Sequence, residues 1–206
     1  MNLKKLVVAL IAVLLIFIIG YSFLGKGTGE SYHAEIAKER TAKNDFMRSS
    51  DESPFGEEKK NFKQLNYFPV DLNYRINAKL LPIENKKIVE LPTSDGQAKK
   101  YLEYGYAQFE LHGVAGRLLI LEMMDEGPYR GTLFLAFADS TSAHETYGAG
   151  RYVDLKKTPG ASFITLDFNQ AYNPYCAYSE NYSCPFPPKE NILKVAVKAG
   201  EKKYHD

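Results

Sequence analysis

Two hydrophobic patterns divide the chain. The first is the continuous apolar run 6–25, which carries no charge and directly follows Lys4 and Lys5. A helix of that length spans about 30 Å, the thickness of a bilayer's hydrocarbon core. From Asp71 onward, apolar and polar residues alternate with a period of two, which is the pattern of half-buried β-strands. The sequence therefore predicts an apolar N-terminal segment followed by a β-rich domain.

The apolar run predicts a membrane anchor, with a cleaved signal peptide as the alternative. It is longer than the usual apolar region of a signal peptide, although Gly20-Tyr-Ser22 is a passable cleavage site. The basic residues before it favour a cytoplasmic N-terminus. We expect residues 1–25 to anchor the chain by a single pass in the cytoplasmic membrane. Residues 26–30 would then be a flexible tether, and residues 31–206 one globular domain on the extracytoplasmic side.

The domain itself is predicted to contain one or two helices and then about eight strands. A thin apolar stripe predicts a surface helix over 31–48, and a second short helix is predicted over 57–65. Strands are predicted at 71–80, 87–91, 100–112, 117–124, 132–138, 150–155, 163–169 and 192–199. Short turns connect them and no βαβ alternation occurs. This order predicts a mainly β fold, an antiparallel meander that closes into a barrel or a sandwich.

Composition and charge narrow the possible partners. The formal net charge is +1, and no basic stripe with interleaved aromatic residues occurs. Nucleic acid is therefore not an expected partner. Aromatic residues make up 13% of the chain, all of them Tyr or Phe, which suits β-structure. The expected partners are the membrane, through the N-terminal helix, and a small molecule.

Polar and aromatic side chains crowd into residues 139–191, which otherwise predict strands and turns. Tyrosines there could stack on a sugar ring, or could seal the end of a barrel. The loop Gly148-Ala-Gly-Arg151 could bind an anion through backbone N–H groups and the guanidinium, or could form an ordinary tight bend. The candidate ligand-binding residues are Arg151, Asn169, Asn173, Tyr147, Tyr152 and Tyr172.

The acidic residues of the same stretch suggest a catalytic alternative. If strands 150–155 and 163–169 are neighbours, Asp154 and Asp167 would share one polar face with Asn169 and Tyr152. Two carboxylates on one surface can act as general acid and base when their surroundings separate their pKa values. Glu145 is a third candidate. In the alternative interpretation, the nearby arginine pairs with one aspartate, and the other aspartate caps the following turn.

Cysteine and histidine usage gives one further prediction. Cys176 and Cys184 are close in sequence, and outside the cytoplasm a disulfide between them is favoured. Closing so short a loop would contribute about 2–3 kcal/mol. Two reduced, buried thiols are the alternative. The four histidines form no HxH or HExxH pattern, so neither a metal nor another cofactor is predicted.

Several uncommon short sequence motifs occur in order along the chain. They are Glu145-Thr-Tyr-Gly-Ala-Gly-Arg-Tyr-Val-Asp-Leu155, Asp167-Phe-Asn-Gln-Ala-Tyr-Asn-Pro-Tyr-Cys-Ala-Tyr178, Pro187-Pro-Lys-Glu-Asn191 and Ala199-Gly-Glu-Lys202. Through them the chain resembles, from about Phe46 to Lys202, a prokaryotic family known as domain of unknown function 1684. The resemblance implies a fold unit and a candidate site but no activity. The positions that match its motifs are Glu145, Arg151, Asp154, Asp167, Asn169, Asn173 and Cys176.

Three functions remain open at this point. The first is a module that binds a small polar or anionic ligand, with Arg151 as the anion partner and tyrosines as walls. The second is a hydrolase-like enzyme that uses Asp154 and Asp167, with Glu145 as a further carboxylate. The third is a structural or partner-binding envelope protein in which these residues brace the fold. The sequence decides neither whether the protein is an enzyme nor its oligomeric state.

Overall fold

A computed structural model describes residues 29–205. Residues 29–42 belong to one compact unit and residues 43–205 to another, which contains the sheet and the candidate site. Residues 29–49 form a helix, α1, and a 3-10 helix follows at Gly56–Asn61. The strands of the described chain are β1 (Arg75–Pro82), β2 (Ile88–Pro92), β3 (Ala98–Leu111), β4 (Val114–Met123), β5 (Leu133–Phe137), β6 (Arg151–Leu155) and β7 (Phe163–Asp167).

All seven strands pair in one antiparallel sheet, which confirms the predicted mainly β class. The strand order is β6-β5-β4-β3-β1-β7, with β2 also paired to β3. Although β6 and β7 end this path, they contact each other, so the sheet curls into a half-barrel. The predicted alternatives of a closed barrel or a sandwich are corrected accordingly. The sheet curls without becoming a closed barrel, and no second sheet is found among residues 29–205.

Hydrophobic side chains cover both faces of the central strands. Leu118, Ile120 and Leu135 lie in the larger core cluster, whereas Leu119 and Leu121 point to the opposite face and join a second cluster. Successive side chains of a strand point to opposite faces, so β4 contributes to both clusters. Each residue of β5 is buried, as expected for a strand that is apolar on both faces and lies between two neighbours.

The last predicted strand, 192–199, is not a strand in the structure. Its backbone makes one isolated bridge, between Ala138 and Ile192, and then bonds to side chains. The N–H group of Val197 donates to Asp139 Oδ1 at 3.1 Å, and the carbonyl of Val197 accepts from Arg151 at 2.9 Å. Because buried charged side chains satisfy these backbone groups, Val197 is fully buried although the segment does not join the sheet.

The predicted membrane location is corrected. Within residues 29–205 no helix is both long enough and apolar enough to cross a bilayer. The predicted span, residues 6–25, lies outside the described residues, and the predicted tether 26–30 is described only at its last two residues, which are already helical. A single pass through the cytoplasmic membrane, with the domain on the extracytoplasmic side, therefore finds no support in the structure, and that prediction is withdrawn.

Candidate functional site

A fully buried carboxylate, that of Glu201, lies among the polar residues of the C-terminal region. Its Oε1 accepts from the amide of Asn173 at 2.9 Å and from the hydroxyl of Tyr178. Its Oε2 accepts from the ammonium of Lys43 at 3.1 Å and from the backbone N–H of Asn173 at 3.3 Å. Burial, with the adjacent carboxylate, raises the pKa of Tyr178 well above its ordinary value. These donors satisfy a charge that would be costly to bury alone.

A second buried ion pair joins Arg151 to Asp139. One guanidinium nitrogen lies 2.9 Å from Asp139 Oδ2 and also donates to the carbonyl of Val197; the other donates to the carbonyls of Ala199 and Glu201. Burial lowers the pKa of Arg151, and the charge of Asp139 opposes this shift. The structure thus uses Arg151 to hold the segment 197–201.

Asp167 and Asn169 form the turn that follows β7. The Oδ1 atom of Asp167 accepts from the backbone N–H of Asn169 at 3.1 Å and caps the 3-10 helix Phe168–Gln170. Asn169 in turn bonds to both backbone groups of Asp71, at 2.9 and 2.8 Å. Arg75 Nε lies 3.6 Å from Asp167 Oδ2. The capping part of the alternative interpretation is thus observed, whereas Arg151 pairs with Asp139 and not with Asp154 or Asp167.

Asp154 has different surroundings from Asp167. It is exposed on β6 and accepts from the hydroxyl of Tyr172 at 2.8 Å. The Tyr172 ring lies edge-on to Tyr152, whose hydroxyl donates to the carbonyl of Pro185 at 2.6 Å. Burial raises the pKa values of both tyrosines. Since β6 and β7 are not paired strands, the structure does not place the two aspartates on a shared strand face.

Tyr147, Cys176 and Cys184 are the other residues that the sequence singled out. Tyr147 is half-buried against a hydrophobic cluster that contains Met47 and Phe62, and burial raises its pKa. Cys176 and Cys184 are joined by a disulfide bond. Within residues 29–205, no group of three or more His, Cys, Asp or Glu side chains is arranged to hold a metal ion.

An open cleft of about 610 Å³ lies where four segments of the chain meet. The N–H of Lys202 donates to the carbonyl of Asn66 at 2.8 Å, and the N–H of Lys203 donates to the carbonyl of Glu145 at 3.1 Å. Asn44, at the C-terminal end of α1, accepts from the N–H of Leu65 at 2.8 Å. The cleft is lined by Asn44, Gln64, Leu65, Asn66, Tyr67, His144, Glu145, Lys202 and Lys203.

The cleft is polar and carries a small excess of positive charge. The lining contains two lysines, Lys202 and Lys203, and one carboxylate, that of Glu145, which lies 2.9 Å from the ammonium of Lys198. The bond to Glu145 raises the pKa of Lys198. The ammonium of Lys202 lies 5.1 Å from the centre of the Phe68 ring, within reach of a cation–π interaction. Amide side chains and a tyrosine complete a lining that can both donate and accept hydrogen bonds.

The sequence predicted only some of the residues that line this cleft. Of the predicted site residues, Glu145 lines it, and Asn173 donates from behind to the carbonyl of the lining residue Lys202; the others do not line the cleft. Lys202 ends the uncommon motif Ala199-Gly-Glu-Lys202, and this motif is the feature of the sequence that could have pointed to it. Gln64 and Asn66 were missed because they lie at the end of the predicted second helix and just after it, far in sequence from the crowded polar stretch 139–191 in which the candidate residues were sought.

Comparisons with known proteins agree with the resemblance seen in the sequence. The solution NMR structure of an uncharacterized protein of Haloarcula marismortui is similar, with a TM-score of 0.65 and 36% sequence identity. The similarity covers 85% of this chain and 96% of that one. No curated protein matches the chain significantly. A model of the family described as "Protein of unknown function (DUF1684)" matches residues 60–202. The predicted resemblance is thus confirmed, and the chain belongs to the DUF1684 family.

Proposed function

We propose that this protein binds a small polar ligand with an anionic group in the cleft beside Lys202 and Lys203. The observation that carries the proposal is the lining itself. A solvent-open space of about 610 Å³ brings two lysines together with three amide side chains and a tyrosine. Small-molecule sites are usually clefts of roughly 300–1,000 Å³ with mainly apolar walls and a few convergent polar groups; this cleft matches them in volume but has a more polar lining, which suits a polar ligand.

Each part of the lining suits one part of such a ligand. The ammonium groups of Lys202 and Lys203 would attract a carboxylate or a phosphate as point charges. The amides of Asn44, Gln64 and Asn66 offer both donors and acceptors, as hydroxyl groups require. A hydroxylated acid, such as a sugar acid or a sugar phosphate, combines these two features.

The proposal keeps the small polar ligand predicted from the sequence but changes the residues that contact it. Lys202 and Lys203 replace Arg151 as the anion partners, because Arg151 is buried and bonded to Asp139 and to backbone carbonyls. Binding is favoured over hydrolysis because Asp154 and Asp167 have separate partners. Nucleic acid is not expected as a partner, since the formal net charge is only +1.

The test uses two ligands that differ in one anionic group. The ¹⁵N-labelled full-length chain is titrated with glucose 6-phosphate and, separately, with glucose, and backbone amide shifts are followed by NMR. We expect glucose 6-phosphate to shift the amides of Asn66, His144, Lys202 and Lys203, and glucose to shift them much less. Glucuronate serves as a carboxylate probe in the same experiment.

A double variant supplies the control for the site. Lys202→Ala/Lys203→Ala should abolish the shifts caused by glucose 6-phosphate. Lys100→Ala should retain them, because Lys100 is exposed on β3, pairs with Glu90 and does not line the cleft. Shifts that survive the double variant, or that map away from the cleft, would overturn the proposal.

A further inference from the structure

The buried network around Glu201 continues into the wall of the cleft. The Nδ2 atom of Asn173 donates to Glu201 Oε1 at 2.9 Å and to the backbone carbonyl of Lys202 at 2.8 Å. Asn173 and Glu201 are both fully buried, whereas Lys202 lines the cleft. The amide group of Asn173 therefore bonds both to the buried carboxylate of Glu201 and to the backbone of the following residue, Lys202. Lys202 carries one of the two ammonium groups that are proposed to bind the anion.

The same segment is fixed from its other side. Arg151 donates to the carbonyls of Ala199 and Glu201, and the N–H of Glu201 donates to the carbonyl of Ala171 at 2.8 Å. Gly200 between them has φ = +74°, and a Cβ there would lie 2.6 Å from two backbone carbonyl oxygens. The backbone leading to Lys202 thus follows a path that these buried groups determine.

A contribution to stability does not by itself explain the buried network of Asn173 and Glu201. A buried, hydrogen-bonded charge contributes little net stability compared with an apolar side chain of similar volume. What the network does provide is a defined position for the backbone at residues 201 and 202.

We infer that Asn173 and Glu201 are positioning residues for the cleft. They fix the backbone at Lys202, and through it the placement of the Lys202 and Lys203 side chains against Asn66 and Glu145. The inference rests on the proposed function, since it assigns these buried groups a role in ligand affinity. Neither residue touches the ligand in this proposal.

The test compares two buried asparagines in the full-length chain. Asn173→Ala removes the bonds to the carbonyl of Lys202 and to Glu201 Oε1. Asn191→Ala removes bonds of similar length, 2.7–2.9 Å, to the backbone of Leu119 and Ala136. Two readouts are taken for each variant: hydrogen exchange at the amides of Lys202 and Lys203, and affinity for glucose 6-phosphate. Both are compared after correction for global stability measured by urea unfolding.

The amides of Lys202 and Lys203 donate to the carbonyls of Asn66 and Glu145. We expect Asn173→Ala to lower their exchange protection about tenfold, because losing the bond to the Lys202 carbonyl makes local opening of this segment easier. We also expect it to weaken glucose 6-phosphate binding by about the same factor. Asn191→Ala should change neither readout beyond its effect on global stability. Unchanged protection in Asn173→Ala, or equal losses in both variants, would overturn the inference.

A second variant, Tyr178→Phe, and the binding measurement on the wild-type chain decide the remaining outcomes. Tyr178→Phe removes a single donor to Glu201 and retains the ring, so it provides the same comparison if Asn173→Ala does not fold. We expect about a threefold loss of Lys202 protection in that variant. If the wild-type chain does not bind glucose 6-phosphate, the proposed function fails. The exchange readout then still decides whether Asn173 fixes the segment.

Discussion

The ammonium of Lys43, in α1, lies 3.1 Å from the fully buried carboxylate of Glu201, 158 residues later in the chain. The same ammonium lies 4.5 Å from the centre of the Tyr172 ring. About a quarter of the Lys43 side chain is exposed, whereas that of Glu201 is not exposed at all. This ion pair therefore gives a buried negative charge a cation that solvent can still reach, and it joins the C-terminal part of α1 to the last described segment.

Replacing Lys43 should therefore be costly. Lys43→Met keeps the length of the side chain but leaves Glu201 charged and without its cation. We expect the free energy of unfolding to fall by about 2–4 kcal/mol, slightly less than for a fully buried pair, because Lys43 is partly exposed. Urea unfolding measures the change. In Lys43→Met/Glu201→Gln most of the loss should be recovered, and a single variant as stable as wild type would contradict the prediction.

The sheet was predictable because its signals are local. Each of the seven observed strands overlaps a predicted one, since period-two alternation and turn residues are both read within a few positions. The half-barrel was not predictable in the same way. The approach of β6 to β7 depends on the curl of a whole sheet, and no short window of sequence records it.

The candidate site was harder to predict than the fold. The sequence points to the crowded polar residues after position 139, but in the structure their side chains mostly bond to other protein groups. Arg151 contacts backbone carbonyls of Val197 and Ala199, which are 46 and 48 residues away. Residue type alone does not distinguish a buried guanidinium that holds a backbone segment from one that faces a ligand. That distinction requires the tertiary contacts.

Gly200 should tolerate no side chain. Its φ of +74° is unfavourable for L-residues, and a Cβ would meet two carbonyl oxygens at 2.6 Å. We expect Gly200→Ala to lower the free energy of unfolding by about 3 kcal/mol or more. Gly113→Ala is the matched control, since Gly113 has a φ of +77° but no neighbouring atom within 4 Å of a Cβ.

The control should lose only the conformational part, about 1–2 kcal/mol. Urea unfolding of the two variants separates strain from steric overlap. If the free energy of unfolding fell equally in Gly200→Ala and Gly113→Ala, the steric overlap expected at Gly200 would be absent and the prediction would be wrong.

The disulfide should stabilise the loop 176–184 and the turn packed against it. Ser94 Oγ lies 3.3 Å from Cys176 Sγ, and the N–H of Ser94 donates to the carbonyl of Cys184 at 3.0 Å. We expect reduction to lower the free energy of unfolding by about 2–3 kcal/mol. Cys176→Ser/Cys184→Ser should match the reduced protein and be insensitive to dithiothreitol. Thiol labelling of unreduced, denatured protein should detect neither cysteine, and a labelled thiol there would contradict the bond.

Stability should fall at high pH because a buried tyrosine resists ionisation. Tyr101 lies in the second core cluster, stacked on Phe134 at 5.0 Å, and burial raises its pKa to about 12. A folded-state pKa above the unfolded value of about 10 favours the neutral phenol in the folded state. Its contribution to stability is therefore fully present below pH 10 and is lost as the pH rises from about 10 to about 12.

Urea unfolding at a series of pH values measures this loss, and tyrosinate absorbance follows the ionisation itself. Tyr101→Phe cannot ionise at this position, so its stability should fall less steeply between pH 10 and 12 than that of the wild type. Tyr129→Phe is the matched control because Tyr129 is exposed, and it should reproduce the wild-type slope. If Tyr101→Phe also kept the wild-type slope, the phenol of Tyr101 would have to ionise equally well in the folded and unfolded chains.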